Sequence, residues 1–126
     1  MKETLLIMIS GAMGSLCRFG VGRGTKHLFG ESFPLDTLIV NVIGCLLIGF
    51  TTQLMCSGLK VPQAVQTALT VGFLGAFTTF STFGYATFDF IRQGAFAAAA
   101  LNGVANLVLG LLAVWLGISS ARWMTP

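Results

Sequence analysis

Long apolar runs alternate with short polar interruptions along this chain. Four runs stand out, over roughly residues 4–24, 36–55, 61–90 and 95–121. Each is at or beyond the about 20 residues a helix needs to cross a hydrocarbon core. The interruptions are compact. Residues 26–34 are polar and turn-rich, and Ser57-Gly58-Leu59-Lys60 leads to Pro62, a residue suited to a first helical turn. Arg92-Gln93-Gly94 parts the third run from the fourth. The pattern predicts an all-α membrane protein: one four-helix transmembrane domain over 1–126, with no chain left for a soluble domain. Lys2 followed by an apolar run from Leu5 is the opening of a signal peptide. No small-residue cleavage pattern follows it and three further runs do, so the first run is expected to stay as a helix.

Composition agrees. The chain is 55% hydrophobic and 9% charged, against about 25% charged in soluble domains. The net charge of +3 is scattered over short loops with no basic run, which argues against nucleic acid as a partner. Cys17, Cys45 and Cys56 are odd in number, lack a C-x-x-C pair, and read as small buried apolar residues. His27 has no second ligand at metal spacing. Gly20-Val21-Gly22-Arg23-Gly24-Thr25-Lys26 fits no phosphate-loop spacing and follows no strand. No enzymatic activity is expected.

Charge sets orientation in membranes, because cytoplasmic loops carry an excess of Lys and Arg. Here Lys2, Lys60 and Arg122 flank the side of both termini, while Arg23, Lys26 and Arg92 flank the other. Arg18 lies within the first run, near its far end. So even a balance predicts insertion in both orientations. Two oppositely inserted copies can pair about a two-fold axis in the membrane plane, as inverted repeats do within larger transporters. Four helices alone enclose little beyond their own side chains, so a pathway is expected between subunits. Gly11 with Ser15, Ser10 with Gly14, Gly44, Gly49, Gly103 and Gly110 are small residues of the kind that let helices approach closely in lipid.

The third run is polar where a mere anchor would not be. At about 30 residues it would stretch roughly 45 Å as a straight helix, past a core of about 30 Å. Either steep tilt or a break accommodates that length. Gly72, Gly75 and the β-branched pair Thr78-Thr79 favour a break. A break frees backbone carbonyls, which must be buried or paired. In an inverted dimer those carbonyls would meet at the axis and could enclose a small cation. The competing arrangement is a continuous helix whose hydroxyls bond to carbonyls one turn earlier.

Asn41, in the second run, offers two N–H donors that suit an anion or a neighbouring helix. Asn102 and Asn106 form a polar stripe on the fourth. Phe80 and Phe83, three apart, either pack or turn their positive ring edges toward an anion, the weak contact that conduction requires. Arg18 is either a structural partner or the positive lip of an anion entrance. Glu3, Glu31, Asp36 and Asp89 all fall at run ends or in loops. A proton-coupled exporter needs a titratable group at depth, so this placement counts against the small dual-topology multidrug exporters, the alternative of similar length. A structural assembly subunit without transport is the other rival.

Three motifs in order carry a family resemblance. They are Gly11-Ala12-Met13-Gly14-Ser15-Leu16-Cys17-Arg18-Phe19, Thr37-Leu38-Ile39-Val40-Asn41-Val42-Ile43-Gly44, and Gly72-Phe73-Leu74-Gly75-Ala76-Phe77-Thr78-Thr79-Phe80-Ser81-Thr82-Phe83. Over nearly its whole length the chain resembles the Fluc fluoride channels, also called the CrcB family. The resemblance implies passive, fluoride-selective export through a multi-pass protein of a bacterial inner membrane. It implies an antiparallel homodimer with two pores, each taking Phe80 from one subunit and Phe83 from the other. Asn41 matches the pore asparagine, Ser81 and Thr82 are expected hydroxyl ligands, and Asn106 with Asn102 resembles the fourth-helix polar track. A central structural sodium ion is expected on the carbonyls of Gly75 and Thr78. Many relatives have a glutamate where this chain has Ala86, so that carboxylate's contribution does not carry over.

Overall fold

The structure, a computed structural model, describes residues 1–30 and 33–124. Glu31 lies outside the described residues. Four helical segments, Lys2–Phe29, Leu35–Cys56, Gln63–Arg92 and Phe96–Met124, are long and apolar enough to cross a membrane. The first is α1 (Lys2–Phe29), the second α2 (Leu35–Cys56) and the last α6 (Phe96–Met124). The third is composite: α3 (Gln63–Thr67), a π-helical stretch (Ala68–Leu74), α4 (Gly75–Phe77) and α5 (Phe80–Arg92).

α1 runs five residues beyond the 4–24 expected from hydropathy, into the stretch read as a turn-rich loop. Hydropathy falls at Arg23 to Lys26, but basic side chains favour the C-terminal turn of a helix because they offset its dipole. Lys26 and His27 occupy that turn. The helix stops at Gly30, whose φ of 78° is left-handed and whose N–H returns to the Lys26 carbonyl. After it, Phe33 stacks on Phe90 of α5, centroids 5.9 Å apart.

The third segment changes neighbours along its length. The π-helical stretch and α4 lie against α1, while α5 lies against α6; α2 runs along α6. Between α4 and α5, Thr78 (φ −82°, ψ 162°) and Thr79 (φ −150°, ψ 112°) are extended. The π-helical stretch has no counterpart in the sequence expectation. It places Gly72 where an added Cβ would overlap Ser10 of α1, so its wider turn seats the backbone against α1. α2 and α6 are as close: a Cβ at Gly117 would overlap the Leu46 carbonyl. Small residues at such crossings are the means by which helices associate in lipid, where no hydrophobic effect drives them together.

The accessible surface is 8175 Å², against roughly 6,500 Å² from the scaling for a soluble monomer of this mass. Leu16, Phe19, Leu107, Leu111 and Trp115 are among the large apolar residues on it. Cys17 and Cys56 are exposed and Cys45 half-buried, which corrects the expectation of three buried cysteines. The residue type suits an apolar exterior as well as a core.

Candidate functional site

The extended pair Thr78-Thr79 is held by side chains from α1 and α2. Asn41 pairs with the Thr79 backbone as a neighbouring strand would. The Thr79 N–H donates to Asn41 Oδ1 at 2.9 Å, and Asn41 Nδ2 donates to the Thr79 carbonyl at 3.3 Å. In a continuous helix the Thr79 N–H would serve the Gly75 carbonyl; its use by Asn41 releases that oxygen. Arg18 of α1 donates from Nη1 to the Thr78 carbonyl at 3.3 Å. Gly44 of α2 packs so tightly on Thr78 that a Cβ there would overlap Thr78 Cγ2.

The same pair starts α5. Thr79 Oγ1 accepts from the Thr82 N–H at 3.3 Å, an N-cap contact that satisfies an otherwise orphaned donor. Thr79 Oγ1 also donates to Thr82 Oγ1 at 3.0 Å and lies 3.3 Å from Ser81 Oγ. The Thr82 hydroxyl thus accepts, and its own proton has no partner among the described residues.

Thr79 lines two cavities. One, about 250 Å³, is ringed by Arg18, Arg23, Lys26 and Asp36 with Thr37, Thr79 and Thr82 on its wall. Low-dielectric walls carrying mostly one sign of charge concentrate counter-ions, so this cavity favours anions. The other is a largely apolar groove of about 620 Å³. Asn41, Asn106, Phe80, Phe83, Gly75 and Thr78 line it. The Phe80 and Phe83 rings are 5.5 Å apart and inclined at 54°, and Phe80 is 82% exposed.

The residues expected at the site therefore divide. Asn41, Phe80, Phe83 and Asn106, with Gly75 and Thr78, share the groove, whereas Arg18 and Thr82 line the basic cavity. Ser81 lines neither and is exposed. Both Asn41 N–H groups are engaged, one at Thr79 and one at Asn106 Oδ1 at 3.0 Å. Asn106 Nδ2 donates to the Asn102 carbonyl at 3.0 Å and to Asn102 Oδ1 at 3.2 Å. Sequence reasoning missed Thr87, which takes a bond from Asn102 Nδ2 at 2.9 Å. It is four residues beyond Phe83 on one face of α5, but no local spacing links it to Asn102, fifteen residues on. Ala86 lies in a third cavity, about 470 Å³, beside Asp36 and Asp89.

As oxygen donors, the Gly75 and Thr78 carbonyls suit a hard monovalent cation. Gly75 has lost its helical partner, and Thr78 keeps a second lone pair beside its Arg18 contact.

Known proteins of similar length match this chain over most of its residues. A family model described as "CrcB-like protein, Camphor Resistance (CrcB)" matches residues 5–118. A Dehalococcoides mccartyi protein named "Fluoride-specific ion channel FluC" is 45% identical over 117 residues, 93% of this chain and 90% of that one. Proteins of the same name from Geobacter sulfurreducens and Citrifermentans bemidjiense are 43% and 39% identical over 122 residues, 97% of this chain and 98% of each relative. With nearly its full length matched at that identity, this chain belongs to the CrcB family.

Proposed function

We propose that this chain forms a fluoride-selective channel and that fluoride leaves the cytoplasm passively along the Thr79–Asn41–Phe80 wall. One observation carries the reading: an anion-attracting cavity and an apolar groove that holds the Phe80–Phe83 pair meet at Thr79. The relatives' printed names supply the identity of the ion. Fluoride is strongly hydrated, and stripping it outright in low dielectric would cost tens of kcal/mol. On this wall water is exchanged in steps. Arg18 and its neighbours draw the anion in, the free Thr82 proton replaces a first water, and the ring edges of Phe80 and Phe83 replace others. Ring edges bind weakly, which lets the ion move on. Larger halides are excluded by the narrow aromatic wall.

The groove is open on one side in a single chain, and we infer that an antiparallel second copy closes it. Each of two pores would then take Phe80 from one subunit and Phe83 from the other, with Ser81 brought to a wall by the pairing. The break at Thr78-Thr79 would sit at the two-fold axis. There the Gly75 and Thr78 carbonyls of both copies would hold a sodium ion, supplying positive charge and a cross-link between subunits. The setting is a bacterial inner membrane. The multidrug-exporter alternative is disfavoured. Among the described residues Asp36 lies in the first turn of α2, and Asp89 pairs with Arg92 at 2.9 Å near the end of α5.

Efflux from liposomes holding the purified chain tests the reading. Fluoride release with chloride retained is the expected result. Equal release of both, or uptake of an organic cation driven by a proton gradient, overturns it.

A further inference from the structure

Asn102 is 0% exposed, and it stands in the middle of a hydrogen-bond chain that joins three helices. The chain begins at the Thr79 N–H, which donates to Asn41 Oδ1. Asn41 Nδ2 donates to Asn106 Oδ1, and Asn106 Nδ2 to Asn102 Oδ1. Asn102 Nδ2 donates to Thr87 Oγ1, and Thr87 Oγ1 to the Phe83 carbonyl at 2.8 Å.

Its direction is fixed from both ends. A backbone N–H can only donate and a backbone carbonyl can only accept. Because the Phe83 carbonyl accepts, the Thr87 hydroxyl must donate there and receive from Asn102. Asn102 therefore presents its NH₂ to α5 and its oxygen to Asn106. Asn106 must turn its NH₂ to Asn102 and its oxygen to Asn41, and Asn41 its oxygen to Thr79. An amide flipped at any one point would set two acceptors or two donors face to face, and a buried mismatch costs more than the bond itself gains. The usual ambiguity of amide orientation is thus resolved by chemistry rather than by choice.

We propose that Asn102 is a positioning residue for the ion path, one that never touches the ion. It orients Asn106 and Asn41, and through them holds Thr79 extended; through Thr87 it fixes the turn of α5 that carries Phe83. The inference rests on the groove being the anion path. It also means that Asn41 offers an anion an N–H only by giving up Asn106 or the Thr79 carbonyl.

Three variants test it: Thr87→Val, isosteric but without the hydroxyl, Thr87→Ser, which keeps it, and Asn102→Leu. Two readouts are needed, deuterium exchange of the peptide spanning 75–82 in detergent, and fluoride efflux from liposomes. Thr87→Val and Asn102→Leu are expected to speed exchange and slow efflux by roughly threefold to tenfold, the population change of one lost net hydrogen bond. Thr87→Ser restores both. Wild-type exchange in Thr87→Val and Asn102→Leu overturns the relay, as does equal loss in Thr87→Ser and Thr87→Val, which would assign the effect to packing. Faster exchange in Thr87→Val and Asn102→Leu, together with no fluoride efflux from wild-type liposomes, leaves the relay standing and overturns the channel reading instead. Should Asn102→Leu fail to fold, the Thr87 pair decides alone.

Discussion

Asn41 binds both backbone groups of one residue, and that makes it hard to replace. Loss of its amide in Asn41→Leu strands the Thr79 N–H in a buried position, while the Thr79 carbonyl, as the N-cap carbonyl of α5, still accepts within the helix. Such a group costs about 1–3 kcal/mol when left unpaired, and that is the loss of thermal stability expected in detergent. Asn41→Asp still accepts from the Thr79 N–H, but its second oxygen faces the Thr79 carbonyl and Asn106 Oδ1, two acceptors, so it should recover little of that loss. Phe80 has the opposite profile. It is 82% exposed, so Phe80→Ile removes little packing within the chain. Its fold should persist while fluoride efflux falls by about tenfold, the worth of an aromatic contact of roughly 1.4 kcal/mol. Wild-type efflux from Phe80→Ile liposomes would show that the ring edge carries no ion.

The third helical segment concentrates the departures from regular helix, and its neighbours explain why it holds its shape. Gly44 leaves just enough room for Thr78 Cγ2. Gly44→Ala is expected to push Thr78 aside and cost about 1–3 kcal/mol, as overpacking does. Adding Thr78→Ser removes Cγ2 while keeping the hydroxyl that donates to the Leu74 carbonyl at 3.0 Å. The double variant should recover most of the stability and efflux lost by Gly44→Ala; a purely additive loss, measured by thermal melting, would deny the contact. The four spans were legible in sequence because hydropathy over about 20 residues is itself the physical requirement for spanning. The end of α1 was not, since a hydropathy drop at Arg23 to Lys26 cannot distinguish a loop from a basic final helical turn. Nor was the π-helical stretch, which sets Gly72 against Ser10 and Ile7 where a side chain would not fit, a tertiary fact that local sequence does not carry. At the candidate site, spacing singled out the phenylalanines and hydroxyls of residues 78–83; the structure puts Phe80 and Phe83 on the groove and Thr82 on the basic cavity, with Ser81 on neither. The Asn102–Thr87–Phe83 connection did not, because it depends on how α5 lies on α6.

At the scale of the whole molecule, the surface excess of about 1,700 Å² over the soluble expectation must face lipid or another copy. Lipid accounts for smooth apolar faces, but a groove of about 620 Å³ lined by Asn41, Asn106 and Gly75, whose carbonyl has lost its helical partner, is not a lipid surface. Unsatisfied polar backbone is tolerated at membrane depth only when protein or a water-filled cavity covers it. An antiparallel pairing would supply that cover, and the even charge balance is what copies inserting both ways would require. Lys60 and Arg92 bracket the third segment, which is long and apolar enough to cross a membrane, so they lie toward its opposite ends. In an antiparallel pair, the turn at Lys60 of one copy shares a face with the turn at Arg92 of the other. A Lys60→Cys chain co-expressed with an Arg92→Cys chain, in a background lacking Cys17, Cys45 and Cys56, should cross-link with a short bis-maleimide to a dimer-sized band. Parallel copies would give the band only in Lys60→Cys or Arg92→Cys expressed alone. Exchanging sodium for a bulky organic cation should lower the cross-linked yield, because the Gly75 and Thr78 carbonyls of the two copies would then repel across the axis with no charge between them.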